Sequence, residues 1–198
     1  MIIIINTKNY VYGKDLEKLM SNITNAMVAV PATELKLGRL AQHVDLVDKQ
    51  STGYITPEAI KSVGAYGTLL NHSEHKLEFD VLKKTIVKCK KLRLATIVCG
   101  STIEECVKIA KLEPDIVAYE DPKLIGKGRA ISIADPASVQ NFVKEVRKVT
   151  RRVKLLCGAG ISTKRDIQKA KELGCHGVLL SSAIVKAKTK AKIDEIIG

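Results

Sequence analysis

The sequence predicts an α/β fold in which eight parallel strands close into a barrel surrounded by helices. Three observations indicate this (β/α)8 barrel: eight short aliphatic runs recur, segments with helical spacing lie between them, and no Gly-, Pro- or Ser-rich linker interrupts the chain. Eight strand–helix alternations favour a closed barrel over an open sheet. Because 198 residues suffice for one core but not for two ordinary domains, we expect a single domain over residues 1–198.

The predicted strands are short and aliphatic throughout, as is typical of strands buried on both faces of a parallel sheet. They cover residues 2–5, 27–30, 42–44, 67–70, 95–98, 115–118, 153–156 and 177–180. Only about a dozen residues run from Pro31 to Gln42, where a helix and both of its loops must fit. The second helix of the barrel is therefore predicted to be very short or replaced by a turn.

Helical spacing of apolar residues is found in several of the segments between the strands. The clearest segments are residues 15–20, 79–92 and 138–149. Two helix starts also carry the side-chain pattern of a capping box, in which a hydroxyl residue precedes an acidic residue by three positions. Ser101 with Glu104 predicts one such start, and Thr163 with Asp166 predicts another.

The composition indicates a folded protein with an aliphatic core, since 45% of residues are hydrophobic, 4% are aromatic and Trp is absent. The formal net charge of +12 raises the question of nucleic-acid binding. The cations, however, are spread along helix-like segments such as 83–91 and 186–192, and no RNA-binding aromatic signature or helix-turn-helix pattern accompanies them. We therefore expect solvated helix faces and no nucleic-acid partner, with a positive field that attracts small dianions.

The five cysteines are odd in number and form no C-x-x-C pair, which argues against a disulfide framework or a zinc ribbon and suits reduced thiols in the cytoplasm. The opening aliphatic run of residues 1–5 is too short for a signal peptide core or a membrane span, so no membrane partner is expected. His43, His75 and His176 have no partners at metal-ligand spacing, and we interpret them as structural. No metal site is predicted.

Polar residues follow the predicted strands at their carboxyl ends, where (β/α)8 barrels carry their catalytic groups. Asn6 and Lys8 follow the first strand, His72 and Glu74 the fourth, and Glu120 the sixth. Small residues follow the last two strands, each just before a helix start, which is the arrangement of a phosphate-binding cradle. These small residues are Gly158, Ala159, Gly160, Ser181 and Ser182.

Five runs of residues in this order resemble motifs of the triosephosphate isomerase family, in particular its short archaeal form, over essentially the whole chain. The runs are Asn6-Thr7-Lys8, Leu70-Asn71-His72-Ser73-Glu74, Ala118-Tyr119-Glu120 with Leu124-Ile125-Gly126-Lys127-Gly128, Cys157-Gly158-Ala159-Gly160-Ile161-Ser162-Thr163, and Gly177-Val178-Leu179-Leu180-Ser181-Ser182-Ala183. Each run alone is a weak signal, and their joint order makes the resemblance specific.

The resemblance implies an isomerase that interconverts dihydroxyacetone phosphate and D-glyceraldehyde 3-phosphate through an enediolate, with neither a metal nor an organic cofactor. It implies that Glu120 is the base, that His72 donates a hydrogen bond to the substrate oxygens, and that Lys8 supplies positive charge. Asn6 is expected to orient the oxygens, and Glu74 to orient neighbouring groups.

The resemblance also implies a mobile lid, in which Gly126 reaches over the phosphate of a small phosphorylated triose when the loop closes. Family members are dimers, or tetramers in archaea, so we expect a homodimer with a tetramer as the alternative. The loop of residues 45–55 would then insert into the neighbouring subunit.

Two residues depart from the family pattern near the lid: Asp121 stands where the family has proline, and Lys127 where it has threonine. These departures leave open an alternative function, a catalytically impaired barrel that still binds phosphate. A different phosphosugar isomerase on the same scaffold is a further alternative, although it leaves the combination of Lys8, His72 and Glu120 unexplained.

Overall fold

The computed structural model describes residues 1–47, 49–125, 127–187 and 189–198. It confirms the predicted closed barrel: the strands pair in chain order, every pairing is parallel, and β8 pairs with β1. The strands are β1 (Ile2–Asn6), β2 (Met27–Val30), β3 (Leu40–Ala41), β4 (Gly67–Leu70), β5 (Ala95–Gly100), β6 (Ile116–Glu120), β7 (Lys154–Gly158) and β8 (Gly177–Leu180).

Helices cover the outside of this barrel. They are α1 (Gly13–Ser21), α2 (Pro57–Ser62), α3 (Phe79–Lys91), α4 (Ile103–Ala110), α5 (Ile131–Ala134), α6 (Pro136–Val149), α7 (Lys164–Glu172), α8 (Ser182–Val185) and α9 (Lys190–Ile197), with short 3-10 turns at Ala32–Glu34 and Pro122–Leu124. Among the residues that the structure describes, no helix has the length and apolar character needed to cross a membrane.

The capping box predicted at the start of α7 is confirmed, since Thr163 and Asp166 satisfy each other's backbone N–H groups. The start predicted at Ser101 is wrong by one residue. Thr102 caps α4 by accepting the Glu105 backbone N–H at 3.1 Å, and the Glu105 carboxylate accepts the Ser101 N–H at 2.7 Å. The reason is that Glu105, rather than Glu104, reaches back to the loop before the helix.

The barrel interior is filled by side chains from all of its strands, so the barrel is a packed core and not a pore. The inward-facing apolar residues are Ile4, Ala29, Leu40, Leu69, Ile97, Cys99, Ile116, Ala118, Leu156 and Leu179. Their chain neighbours point outward and pack under the helices, as the two-residue period of a strand requires. A solid core closes the barrel from below and leaves polar strand-end residues at the carboxyl-terminal mouth.

The third strand differs from the prediction of residues 42–44. It consists of Leu40–Ala41 alone, with Leu40 opposite Ala29 and Ala41 opposite Val30 in the neighbouring strand. The strand pairing ends at Ala41, and the side-chain amide of the next residue, Gln42, donates a hydrogen bond to the Lys8 carbonyl at 3.0 Å. The following loop then closes on itself, with the Asp45 N–H donating to the Ile55 carbonyl at 2.7 Å.

The predicted shortening of the second helix is confirmed, because only the 3-10 turn Ala32–Glu34 lies between β2 and β3. Arg39 stabilises this thin part of the outer layer. Its side chain is 8% exposed, its Nη2 lies 2.9 Å from both carboxylate oxygens of Glu17 in α1, and its Nη1 donates to the Glu34 carbonyl at 2.7 Å. One buried guanidinium thus links α1 to the turn that replaces a helix.

Replacing Arg39 with methionine is expected to lower the free energy of unfolding clearly. The substitution takes the guanidinium donor away from the part-buried Glu34 carbonyl and removes the ion pair between the buried guanidinium and Glu17. Lys36→Met is the matched control, because Lys36 binds the same Glu17 carboxylate at 2.6 Å while 62% exposed, and exposed pairs contribute little. Urea unfolding of both variants checks this expectation, and equal losses would show that Arg39 acts only as a surface cation.

Candidate active site

A cavity of about 400 Å³ lies at the carboxyl-terminal mouth of the barrel. The structure brings most of the predicted site residues together around it, because the barrel gathers the ends of all its strands at one face. The predicted residues that line the cavity are Asn6, Lys8, His72, Glu74, Glu120, Ala159, Gly160, Ser181 and Ser182. Gly158 lies just beneath the cavity, and Gly126 lies outside the described residues.

Glu120 ends β6 and is only 6% exposed. Its neighbour in β7 is Gly158, and a Cβ atom at that position would lie 2.8 Å from the Glu120 Oε1. The same Cβ atom would lie 2.7 Å from the Leu179 carbonyl oxygen, so Gly158 leaves room for both groups, and its predicted phosphate contact stays a prediction. The Glu120 Oε2 is buried and lacks a hydrogen-bond partner among the described residues.

His72 lies beside this carboxylate, with its Nε2 3.2 Å from the Glu120 Oε2 but not aligned for a hydrogen bond. On the far side of the ring, the Nδ1 accepts the backbone N–H of Glu74 at 3.2 Å. An Nδ1 that accepts a hydrogen bond carries no proton, so the proton of the neutral ring is on Nε2. His72 thus presents an N–H group at the cavity.

Lys8 enters the cavity from the first loop, with a backbone φ of 48° that side-chain-bearing residues seldom adopt. Two polar side chains hold this conformation: the Asn6 Oδ1 accepts the Lys8 N–H at 3.0 Å, and Gln42 donates to its carbonyl. The Lys8 Nζ lies 2.5 Å from the Glu74 Oε1, and the Lys8 side chain is 15% exposed. Gln42 is a supporting residue that the sequence interpretation missed, because the sequence predicted it to lie within the third strand.

The glycine-rich loop after β7 is joined to the end of the lid segment. Gly160 has a φ of 78°, and a Cβ atom there would lie 1.9 Å from the Arg129 carbonyl oxygen. The Ile131 N–H also donates to the Ala159 carbonyl at 3.1 Å. Only glycine permits this close approach, so Gly160 fixes the point at which the predicted lid segment returns to the barrel.

The residues after β8 complete the cavity wall. The Ser181 Oγ is buried and has no hydrogen-bond partner in the part of the chain that the structure describes. An unpaired buried hydroxyl at a cavity is a group that a polar ligand can satisfy. The start of α7 differs, because Asp166 already accepts the N–H groups of Ser162 and Thr163, both at 2.9 Å.

Asp121, where the lid begins, turns its carboxylate toward the lid backbone and accepts the Lys123 N–H at 2.9 Å. It thereby caps the 3-10 turn Pro122–Leu124.

Below Glu120, burial and then the nearby Glu120 carboxylate raise the pKa of Cys99 well above its ordinary value. Cys99 is therefore a neutral thiol that packs in the barrel interior.

Comparison with known proteins agrees with this geometry. The family model described as triosephosphate isomerase matches residues 1–197. A protein of Archaeoglobus fulgidus named triosephosphate isomerase is 38% identical over 216 residues, which cover 100% of this chain and 97% of that protein. One of the same name from Sulfolobus acidocaldarius is 39% identical over 212 residues, covering 98% and 92% respectively.

A third relative with this name, from Methanocaldococcus jannaschii, is 47% identical over 149 residues, which cover 75% of this chain and 68% of the relative. The two longer alignments extend over 98–100% of this chain. With a family model matched from end to end and a mouth that gathers a carboxylate, an imidazole and a lysine, the chain belongs to the triosephosphate isomerase family.

Proposed function

We propose that one phosphorylated triose binds in the cavity at the barrel mouth and that Glu120, His72 and Lys8 isomerise it there. Membership of the triosephosphate isomerase family makes the chain an isomerase that interconverts dihydroxyacetone phosphate and D-glyceraldehyde 3-phosphate. The observation that carries the residue assignment is the unpartnered, buried Oε2 of Glu120, 3.2 Å from the Nε2 of His72.

The reaction requires a base beside the carbon next to a carbonyl and a donor beside the carbonyl oxygen. A carboxylate oxygen without a hydrogen-bond partner is free to accept the carbon's proton and return it to the adjacent carbon. The N–H that His72 presents stabilises the negative charge of the enediolate oxygens, and the Lys8 ammonium adds positive charge beside them. Asn6 positions Lys8 through its hydrogen bond to the backbone, and Glu74 binds the ammonium.

We assign the phosphate to the small-residue wall of the cavity. The Ser181 hydroxyl has no protein partner among the described residues, and Ala159, Gly160 and Ser182 bring only small side chains to this wall. The net charge of +12 favours the approach of a dianion. Closure of the predicted lid over the phosphate would exclude water from the enediolate.

Replacing Gly160 with alanine is expected to raise the KM for glyceraldehyde 3-phosphate about tenfold, equivalent to ~1.4 kcal/mol of binding. The new Cβ atom would displace the Arg129 carbonyl and with it the end of the lid. Gly38→Ala is the control, because Gly38 has nearly the same positive φ, of 79°, does not line this cavity, and an added Cβ there would meet nothing within 4 Å. Steady-state kinetics of both variants measure the effect, and equal KM values would show that backbone strain alone matters.

We also propose that the chain forms a homodimer. A second cavity of about 820 Å³ adjoins the first and shares Asn6, Lys8, His72 and Glu74 with it. The loop from Asp45 to Ile55 is tied at its base by two hydrogen bonds, and Tyr54 within it is 55% exposed. Insertion of this loop from a second copy would fill the cavity beside Lys8.

The oligomeric state can be measured by light scattering on the purified protein. A mass of twice 21.6 kDa is expected for the dimer. The alternative tetramer requires a further interface, and the lysine-rich face of α3 would repel a copy of itself there. A mass of one chain would contradict the proposal.

We place the reaction in the cytoplasm, as a step of glycolysis and gluconeogenesis. All five cysteines are free and buried, which suits a reducing compartment. The activity is tested by following the conversion of glyceraldehyde 3-phosphate by the purified protein in a coupled assay. Turnover supports the proposal, whereas phosphate binding without turnover would support the catalytically impaired barrel.

A further inference from the structure

A carboxylate on the outside of the barrel is bonded to the loop that carries His72. Glu105, in the first turn of α4, accepts hydrogen bonds from three separate groups: the Asn71 side-chain amide at 2.8 Å, the Lys76 ammonium at 2.7 and 2.9 Å, and the Ser101 backbone N–H at 2.7 Å. Its own backbone N–H is held by the Thr102 hydroxyl at 3.1 Å. Glu105 therefore has a fixed position and few free lone pairs.

Asn71 is the residue immediately before His72, and it lies in the left-handed region with a φ of 56°. Asparagine adopts this conformation more readily than most residues, because its short polar side chain can form hydrogen bonds that hold it. The side chain does so here: Asn71 is 2% exposed, and its amide also donates to the Cys99 carbonyl at 2.8 Å. Its side-chain oxygen accepts the Leu77 N–H at 3.0 Å.

The direction of the His72 ring depends on this backbone conformation. One side of the ring accepts the Glu74 N–H at Nδ1, and the other side faces the cavity. The orientation of both sides depends on the direction of the backbone after Asn71. Without its hydrogen bond to the Glu105 carboxylate, the Asn71 side chain keeps only two of its three restraints, the hydrogen bonds with Cys99 and Leu77. Rotation of the peptide that follows Asn71 would then shift the Nε2 of His72 relative to Glu120.

We propose that Glu105 is a positioning residue for the isomerisation, which acts through Asn71 to aim the Nε2–H of His72 at the substrate oxygens. The inference rests on the function proposed above for His72. Among the described residues, Glu105 has no hydrogen bond or ion pair with a residue that lines the cavity, and it lies outside the family motifs of the sequence. Its effect is therefore expected on the rate of the chemical step and not on phosphate binding.

The charge of Glu105 is compatible with this role. Burial raises the pKa of Glu105, but the hydrogen bonds from Lys76, Ser101 and Asn71 more than offset this effect, so the pKa lies below its ordinary value. The carboxylate is thus ionised at neutral pH and can accept all of its hydrogen bonds. A glutamine would keep one acceptor oxygen and turn an NH₂ group toward a donor.

The first test compares Glu105→Gln with Glu104→Gln. Glu104 lies in the same first turn and is exposed, so its variant removes the same charge from the start of α4 without touching Asn71. We expect Glu105→Gln to lower kcat about tenfold or more, with KM changed less than twofold, and Glu104→Gln to resemble the parent. A parent-like kcat for Glu105→Gln would overturn the proposal.

Nitrogen-15 NMR of the His72 ring supplies a readout that does not depend on turnover. Glu105→Gln is expected to shift the His72 ring signals, whereas Glu104→Gln leaves them in place. If the parent protein shows no isomerase activity, the proposed function fails, and the NMR comparison still decides whether Glu105 positions His72. Unchanged ring signals would contradict the positioning role.

A double-mutant cycle shows whether the effect passes through Asn71. Asn71→Gly keeps a residue that adopts positive φ easily but removes the side chain that Glu105 holds. Glu105→Gln introduced into Asn71→Gly is expected to change kcat less than twofold further. If kcat of the double variant instead falls by the product of the two single losses, Glu105 acts by another route. That result would overturn the proposal even if Glu105→Gln alone lowers kcat.

Discussion

Replacing Glu120 with glutamine is expected to lower kcat by about 10²- to 10⁴-fold, the contribution typical of a positioned general base. Glutamine has nearly the same shape, so it keeps the packing against Gly158 but presents no basic oxygen. Glu120→Asp is expected to be slow as well, because the shorter side chain withdraws the carboxylate from the carbon. Coupled-assay kinetics measure both effects, and circular dichroism shows whether the variants are folded.

Asp121→Asn is the control for this experiment. It changes the neighbouring carboxylate, whose oxygen caps the 3-10 turn of the lid, and asparagine can make the same bond. We expect kcat to stay near that of the parent. A Glu120→Gln protein that is folded and turns over within a few-fold of the parent would remove Glu120 from the role of base.

Replacing Lys8 with methionine is expected to lower kcat/KM by about 10²- to 10³-fold, the loss typical when one electrostatic donor to an oxyanion is removed. The ammonium acts on the approaching dianion and on the enediolate, so both KM and kcat should change. The backbone of residue 8 should keep its conformation, because the Asn6 and Gln42 side chains that hold it contact only main-chain atoms of Lys8.

Lys14→Met removes the same charge from an exposed position at the start of α1, outside the cavity. If net charge alone attracted the substrate, the two variants would lose kcat/KM equally. Steady-state kinetics at low and moderate salt separate the two cases, since a field effect weakens with ionic strength. Parent-like kinetics of Lys8→Met would place Lys8 outside the active site.

The sequence was most informative where structure follows from local patterns. The aliphatic runs predicted seven of the strands closely, because burial on both faces selects β-branched and aliphatic residues within each strand. The prediction of the third strand was wrong. Gln42 and Val44 continue the pattern of the strand in the sequence, but the strand itself ends at Ala41 and Gln42 bonds to Lys8. The residues that follow the strands were predicted to lie at the carboxyl-terminal mouth of the barrel, and they do so because the barrel topology gathers them there.

The roles of individual supporting residues could not be predicted in this way. Gly158 belongs to a phosphate-loop motif, and only the structure shows that its lack of a side chain also leaves room for the Leu179 carbonyl and the Glu120 carboxylate on the neighbouring strands. Gln42 holds the Lys8 backbone over a separation of 34 residues, and Glu105 holds Asn71 over the same separation. Nothing local in the sequence marks either pair.

The sequence by itself determined the barrel, its shortened second helix and the set of polar residues at one mouth, because periodicity and strand-end positions are local properties of the chain. The tertiary structure alone decided which Glu120 oxygen lacks a partner, which nitrogen of the His72 ring carries the proton, and how Arg39 links α1 to the turn that replaces a helix. These depend on hydrogen bonds between residues distant in sequence, and such bonds form only once the barrel has brought its segments together.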